Sequence, residues 1–133
     1  MRIVIFLAPL LVTACAGGSA PARLTERQAA RLEAALSEKV AGKPVSCISR
    51  YPQASLTAIN DRVLLYRVSS RLIYRNDLIG SCSGLSRGDA LVVQSWSAQY
   101  CRGDIAKSAD LANGMVTGAC ALGDFTPYRA PVR

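Results

Sequence analysis

Histidine is absent from the 133 residues. That removes the commonest general base at neutral pH and the commonest metal ligand. Cysteine occurs five times, but no two are spaced as a Cys-x-x-Cys clip. Neither a zinc clip nor a thioredoxin-like redox pair can be read from the chain, and no metal or cofactor is expected. Aromatic residues make up 6%, and Lys and Arg, although 16 against 9 acids, form no dense run. The stacking platforms and basic stripes that hold nucleic acid are therefore missing. No apolar run reaches the roughly 20 residues that a membrane-crossing helix takes. The longest, residues 3–12, is broken by Pro9.

What that short run does offer is an export signal. It follows Arg2 and leads into Leu11-Val12-Thr13-Ala14-Cys15, the three-part order of a signal peptide. The pentapeptide resembles the lipobox of bacterial lipoproteins, with an apolar residue, small residues and an obligatory cysteine. The resemblance implies cleavage before Cys15, diacylglycerol in thioether linkage on Cys15, and a further acyl chain on its freed amine. Several chains anchor stably where one is marginal. Ala16, not Asp, follows Cys15; by resemblance to enterobacterial sorting this favours the outer membrane, facing the periplasm. The expected organisation is a leader over residues 1–14, a lipidated cysteine with a flexible small-residue tether over 15–24, an amphipathic helix over 25–41, and a cysteine-containing β domain over 42–133. Without the leader, 119 residues remain, enough for one domain, at a formal charge of +6.

Giving Cys15 to lipid leaves Cys47, Cys82, Cys101 and Cys120, an even set in an oxidising compartment. Two disulfides are expected. Of the three connectivities, Cys47–Cys82 with Cys101–Cys120 closes the shortest loops and is favoured on that ground. The nested pattern, Cys47–Cys120 with Cys82–Cys101, would suit a sheet whose first and last strands meet.

The fold class expected is mainly β with one N-terminal helix: a small antiparallel sheet or barrel-like domain held by two disulfides. Thr25 with Gln28 forms a capping box, and Ala29, Leu32, Leu36 and Val40 recur on one face, so the helix is read over 26–41, packing on a sheet or standing as a stalk. Alternation then predicts strands at 56–59, 63–68, 71–75, 90–95, 99–109 with a kink at Gly103, and 115–122, with 76–89 a loop. For Leu64, Tyr66, Leu72 and Tyr74 to share a face, the Ser69–Ser70 connection must contain a bulge or an odd residue count. Arg67, Arg71 and Arg75 then share the other face. The tail, 123–128, is expected to pack Phe125 and Tyr128 on the sheet.

From 42 to 128 the chain is similar to a family of small uncharacterised exported proteins and lipoproteins of proteobacteria, sphingomonads among them. The likeness lies in Gly42-Lys43-Pro44-Val45-Ser46-Cys47-Ile48, Cys82-Ser83-Gly84-Leu85, Cys101-Arg102-Gly103-Asp104-Ile105 and Cys120-Ala121-Leu122-Gly123-Asp124-Phe125. It implies a class and no activity.

Candidate sites are few. Arg67, Arg71 and Arg75 could form an anion-binding ridge, against a solvated strand face. Arg87-Gly88-Asp89 and Arg102-Gly103-Asp104 match a cell-adhesion tripeptide, against ordinary turn chemistry. The aspartates could pair for acid–base work, but each adjoins a turn signal or strand end, and no catalytic residue is assigned. Tyr66 and Tyr74 read as core. Trp96 reads as a turn-flanking packing residue and the best single candidate for an exposed contact. The function expected is a non-enzymatic envelope module. It would meet the membrane through Cys15 and bind anionic envelope components or an envelope protein. The alternatives are a small lysozyme-inhibitor-like protein, disfavoured by positive charge, and an enzyme on envelope glycans or lipids.

Overall fold

The computed structural model describes residues 23–52 and 54–132, so Cys15 and the expected leader lie outside the described residues. Thr25 starts the helix as expected. Its hydroxyl accepts from the Gln28 N–H and its own N–H donates to the Gln28 side chain, which satisfies two of the orphan donors of the first turn. Helix α1 spans Glu26–Leu36, five residues short of the expected end. Ser37 leaves helical geometry and turns its hydroxyl back to the Ala34 carbonyl, and Glu38 takes a positive φ of 60°. Val40–Ala41 instead forms strand β1, paired with the last strand of the fold. A β-branched Val40 with a ladder to join is better placed there than in a fourth helical turn.

The strands that follow are β2 (Cys47–Ser49), β3 (Ser55–Ala58), β4 (Val63–Ser69), β5 (Leu72–Asp77) and β6 (Ile79–Ser81). After a short 3-10 turn at Leu85–Arg87 come β7 (Ala90–Gln94), β8 (Gln99–Cys101), β9 (Ile105–Ala109), β10 (Val116–Ala121) and β11 (Phe125–Arg129). They form a five-stranded sheet, β1-β11-β5-β4-β3, a four-stranded sheet, β6-β10-β9-β7, and the pair β2-β8. Every pairing is antiparallel.

Of the two alternatives for aligning these faces it is the bulge that occurs, between Arg67 and Ser69, with the turn at Ser70–Arg71, one residue beyond the expected Ser69–Ser70, and it places Tyr66 directly opposite Tyr74. Alternation then gives the large sheet two buried faces. Val63, Leu65 and Ile73 receive Leu32 of α1, so the helix lies on the sheet and is no stalk. Leu64, Tyr66 and Phe125 face the other way, against Ile48, Ala106 and Cys120 from the smaller sheets and Cys82 just past the end of β6. Phe125 is fully buried, with Tyr66 and Tyr74 edge-on to it at ring-centroid distances of 5.6 and 6.4 Å.

Four expectations are corrected. Residues 99–109 are two strands in different sheets, split by a turn in which Gly103 has φ 88°. Residues 76–89 contain β6, which pairs with β10. The tail is not merely packed on the sheet: as β11 it sits between β1 and β5. The cysteines pair Cys47–Cys101 and Cys82–Cys120, in neither of the patterns weighed above. Sheet register decides this. Cys47 and Cys101 are direct partners in β2–β8, and Cys82 leaves β6 beside Cys120 of β10. Loop length is a weak competitor, since each doubling costs only about 0.6 kcal/mol.

The chain changes sheets twice at one corner. Outbound, β5 ends at Asp77 and Leu78 donates its N–H to the Arg62 carbonyl at 2.8 Å. Inbound, residues 122–124 carry β10 into β11. Gly123 lies against the Asp77 carbonyl so closely that a Cβ would collide with it. The buried Asn76 side chain accepts the Gly123 N–H at 3.0 Å and donates to the carbonyls of Gly123 and Asp124 at 2.8 and 3.3 Å.

Peptide mapping without reduction is expected to recover Cys47 linked to Cys101 and Cys82 linked to Cys120. The bridges span sequence separations of 54 and 38. Replacing either pair by serine is expected to lower unfolding free energy by about 4 kcal/mol, by chain entropy. A Cys47–Cys82 peptide would contradict the register.

Candidate functional site

The three arginines of the expected ridge separate by role. Arg67 on β4 and Arg75 on β5 share the helix-bearing face as diagonal neighbours, since Leu65 is the partner of Arg75 and Ile73 that of Arg67. Arg71 stands in the turn and donates to the Pro131 carbonyl at 3.2 Å. Arg75 is held by Asp77 at 2.8 Å. Burial pulls the Arg75 pKa down, but its hydrogen bond and charge contact with Asp77, helped by Tyr128, outweigh that and raise it.

The aspartates are all engaged. Asp61 accepts the Ser86 N–H, Asp77 accepts from Arg75, and Asp89 accepts from the Thr117 hydroxyl. Asp104 accepts the Cys101 N–H, Asp110 the N–H groups of Ala112 and Asn113, and Asp124 an Arg102 donor. Both adhesion-like tripeptides therefore have their carboxylate committed to the fold. Asp89 shows the reason most clearly. Gly84 and Gly88, at φ 100° and 105°, bracket the 3-10 turn and fold the Asp89 side chain inward, to 11% exposure. A Cβ on Gly84 would overlap that carboxylate. Thr117 has one hydroxyl proton and gives it to Asp89. Beside it, fully buried Ser108 donates to the Ser83 carbonyl at 2.6 Å, so its oxygen is shut off from any substrate.

The pinned 3-10 turn forms one wall of a cleft of about 430 Å³. Strand β3, an edge of the large sheet, forms the second wall, and α1 the third. Leu56, Ala58 and Leu85 give it apolar surface, and its cations are Arg31 and Arg87. Arg87 is 71% exposed and 3.9 Å from Asp89, beyond hydrogen-bonding distance. The rest of the lining is polar, Thr57, Ser86 and the Asp89 carboxylate, so two guanidinium forks and one carboxylate share an opening with a minor apolar share. Nothing in the sequence marked Arg31 or Arg87 as partners, because they meet only when a helix, an edge strand and a glycine-bracketed turn converge.

Tyr66 and Tyr74 are core, as expected. The Tyr66 hydroxyl is buried and has no hydrogen-bond partner among the described residues. Its pKa is raised well above the ordinary value of 10.0, first by burial and then by the charges of Tyr100 and Asp104. Trp96 does not pack on its turn; it is fully exposed.

No family model, curated protein or solved structure matches the chain.

A raised tyrosine pKa means that the unfolded chain loses this proton first as pH rises. The stabilisation is intact below about pH 10 and fades above it. Tyr66→Phe is therefore expected to keep or increase stability at neutral pH, by up to about 1 kcal/mol, because it deletes an unsatisfied hydroxyl. The variant should also lose less stability than the parent on going to about pH 11. Urea unfolding at the two pH values measures both, and a destabilised variant at neutral pH would show that the hydroxyl has a partner.

Proposed function

We propose that this chain is an envelope lipoprotein, anchored through Cys15, whose β domain binds an anionic, partly apolar envelope component without performing chemistry on it. The observation that carries the reading is an asymmetry of charge use. All six aspartates accept hydrogen bonds from their own chain, Asp89 at the cleft among them, whereas Arg31 and Arg87 line an open cleft whose polar walls carry a smaller apolar share from Leu56, Ala58 and Leu85. A basic chain that commits its aspartates internally presents cations outward. Two disulfides in so small a fold suit an oxidising compartment, in keeping with export. The lipobox-like stretch before Cys15 supplies the anchor, and a phosphorylated sugar headgroup suits the cleft's two arginines and its polar lining.

Two measurements test this. Radiolabelled palmitate is expected to label the chain in cells and to be lost, with membrane association, in Cys15→Ala. Calorimetric titration with a soluble phosphorylated glucosamine disaccharide is expected to show binding that the Arg31→Ala, Arg87→Ala variant weakens at least about a hundredfold, the weight of two charge-assisted contacts. Lys107→Ala, on the small sheet, should change it less than about twofold. Equal loss in both variants would mean that net charge, and not the cleft, does the binding.

A further inference from the structure

The loops at 49–52 and 95–98 lie side by side at one end of β2–β8. Arg50 joins them: its N–H donates to the Ala98 carbonyl at 3.0 Å and its guanidinium to the Ser97 carbonyl at 3.3 Å. The same guanidinium stands 5.1 Å from the centroid of the Tyr100 ring. The tip carries two large aromatic side chains turned outward, Trp96 at 103% exposure and Tyr51 at 73%. Trp96 is the only tryptophan of the chain.

This exposure is not looseness in the loop. The Ser95 and Ser97 hydroxyls both donate to the Gln99 carbonyl, and the Ser49 hydroxyl donates to the Tyr51 carbonyl. The turn is braced from inside and still presents its indole to solvent. Those hydroxyls are spent on the backbone, so the polar side chains the tip turns outward are the exposed Gln94 and Gln99 amides, the Tyr51 hydroxyl and the remaining Arg50 donors. Residues 46–52 and 94–100 contain no acid and one base, Arg50. Exposed Ile105 follows at the strand end, opposite Gln94.

Tryptophan, tyrosine and a single arginine, with no carboxylate, are the side chains that settle at the boundary between headgroups and acyl chains. We infer that this tip is a second membrane contact, in which Trp96 and Tyr51 enter the headgroup zone of an anionic bilayer while the remaining Arg50 donors meet lipid phosphate. The inference rests on the envelope location proposed above and adds an orientation to it. With the tip in contact, the domain lies against the bilayer in one pose instead of ranging over the reach of its tether.

The test uses the full chain on vesicles of phosphatidylcholine with and without phosphatidylglycerol, read by Trp96 emission. On anionic vesicles the emission is expected to shift to shorter wavelength and to be quenched by brominated acyl chains. The Arg50→Gln, Tyr51→Ser variant should need about fivefold more phosphatidylglycerol for the same shift, on the scale of one basic residue at an anionic surface. If the chain sediments with vesicles while Trp96 keeps the emission of indole in water, the tip inference is overturned and the Cys15 anchor stands. If the chain does not sediment at all, both fall. A shift caused by soluble chito-oligosaccharide and not by vesicles would overturn the inference in favour of a glycan platform.

Discussion

Everything in this fold passes through the corner where Asn76 clasps Gly123. The chain leaves the five-stranded sheet after β5 and returns to it as β11, and the two crossings touch there. A crossing exposes backbone groups that no ladder serves, and buried ones must find partners. Asn76 is fully buried and supplies both kinds: an acceptor for the Gly123 N–H and a donor for the Gly123 and Asp124 carbonyls. Gly123 admits the close approach because it has no Cβ. Leu122 closes the other side, with its N–H on the Asp104 carbonyl and its carbonyl taking the Gly103 N–H. Once the corner is set, β11 lies against β5, Phe125 enters the core, and β10 brings Cys120 to Cys82.

The same economy explains the charge pattern. Short strands leave many turns, and turns leave N–H groups without ladder partners. Aspartate is the smallest anionic side chain that can reach back to serve them. Asp61, Asp104 and Asp110 do this directly, while Asp77 and Asp124 hold arginines. The aspartates are thereby tied into the architecture, while Glu26, Glu33 and Glu38 stay exposed, and the chain's excess of Lys and Arg is left at the surface. The cleft at Arg31 and Arg87 and the aromatic tip at Trp96 lie in different parts of the fold, the first between α1, β3 and the 3-10 turn and the second at the end of β2–β8.

Much of this was legible in the sequence where local chemistry decides. The Thr25 capping box, the need for a bulge or an odd residue count between β4 and β5, and the shared face of Tyr66 and Tyr74 follow from rules that act over a few residues, although the turn lies one residue beyond the expected Ser69–Ser70. What could not be read was set by distant partners. Strands β2 and β6 are three residues each, too short for alternation to register. Strand β11 contains Pro127, which argues against a central strand, yet there it stands between β1 and β5. The cysteine pairing followed register and not loop length. The cleft draws on segments as far apart as Arg31 and Asp89, and no spacing in the sequence announces it. Trp96 reads from the sequence as a turn-flanking residue and an exposed contact, and its full exposure depends on a loop braced by its own serines.

Native-state hydrogen exchange at the Gly123 amide tests the central claim most directly. If the Asn76 clasp holds the two sheets together, that amide opens only with the whole domain, with the same free energy as the slowest amides of β5 and β10. Exchange at Gly123 through a local opening, at clearly lower free energy than those strands, would contradict the account, because the corner could then part while both sheets stayed formed.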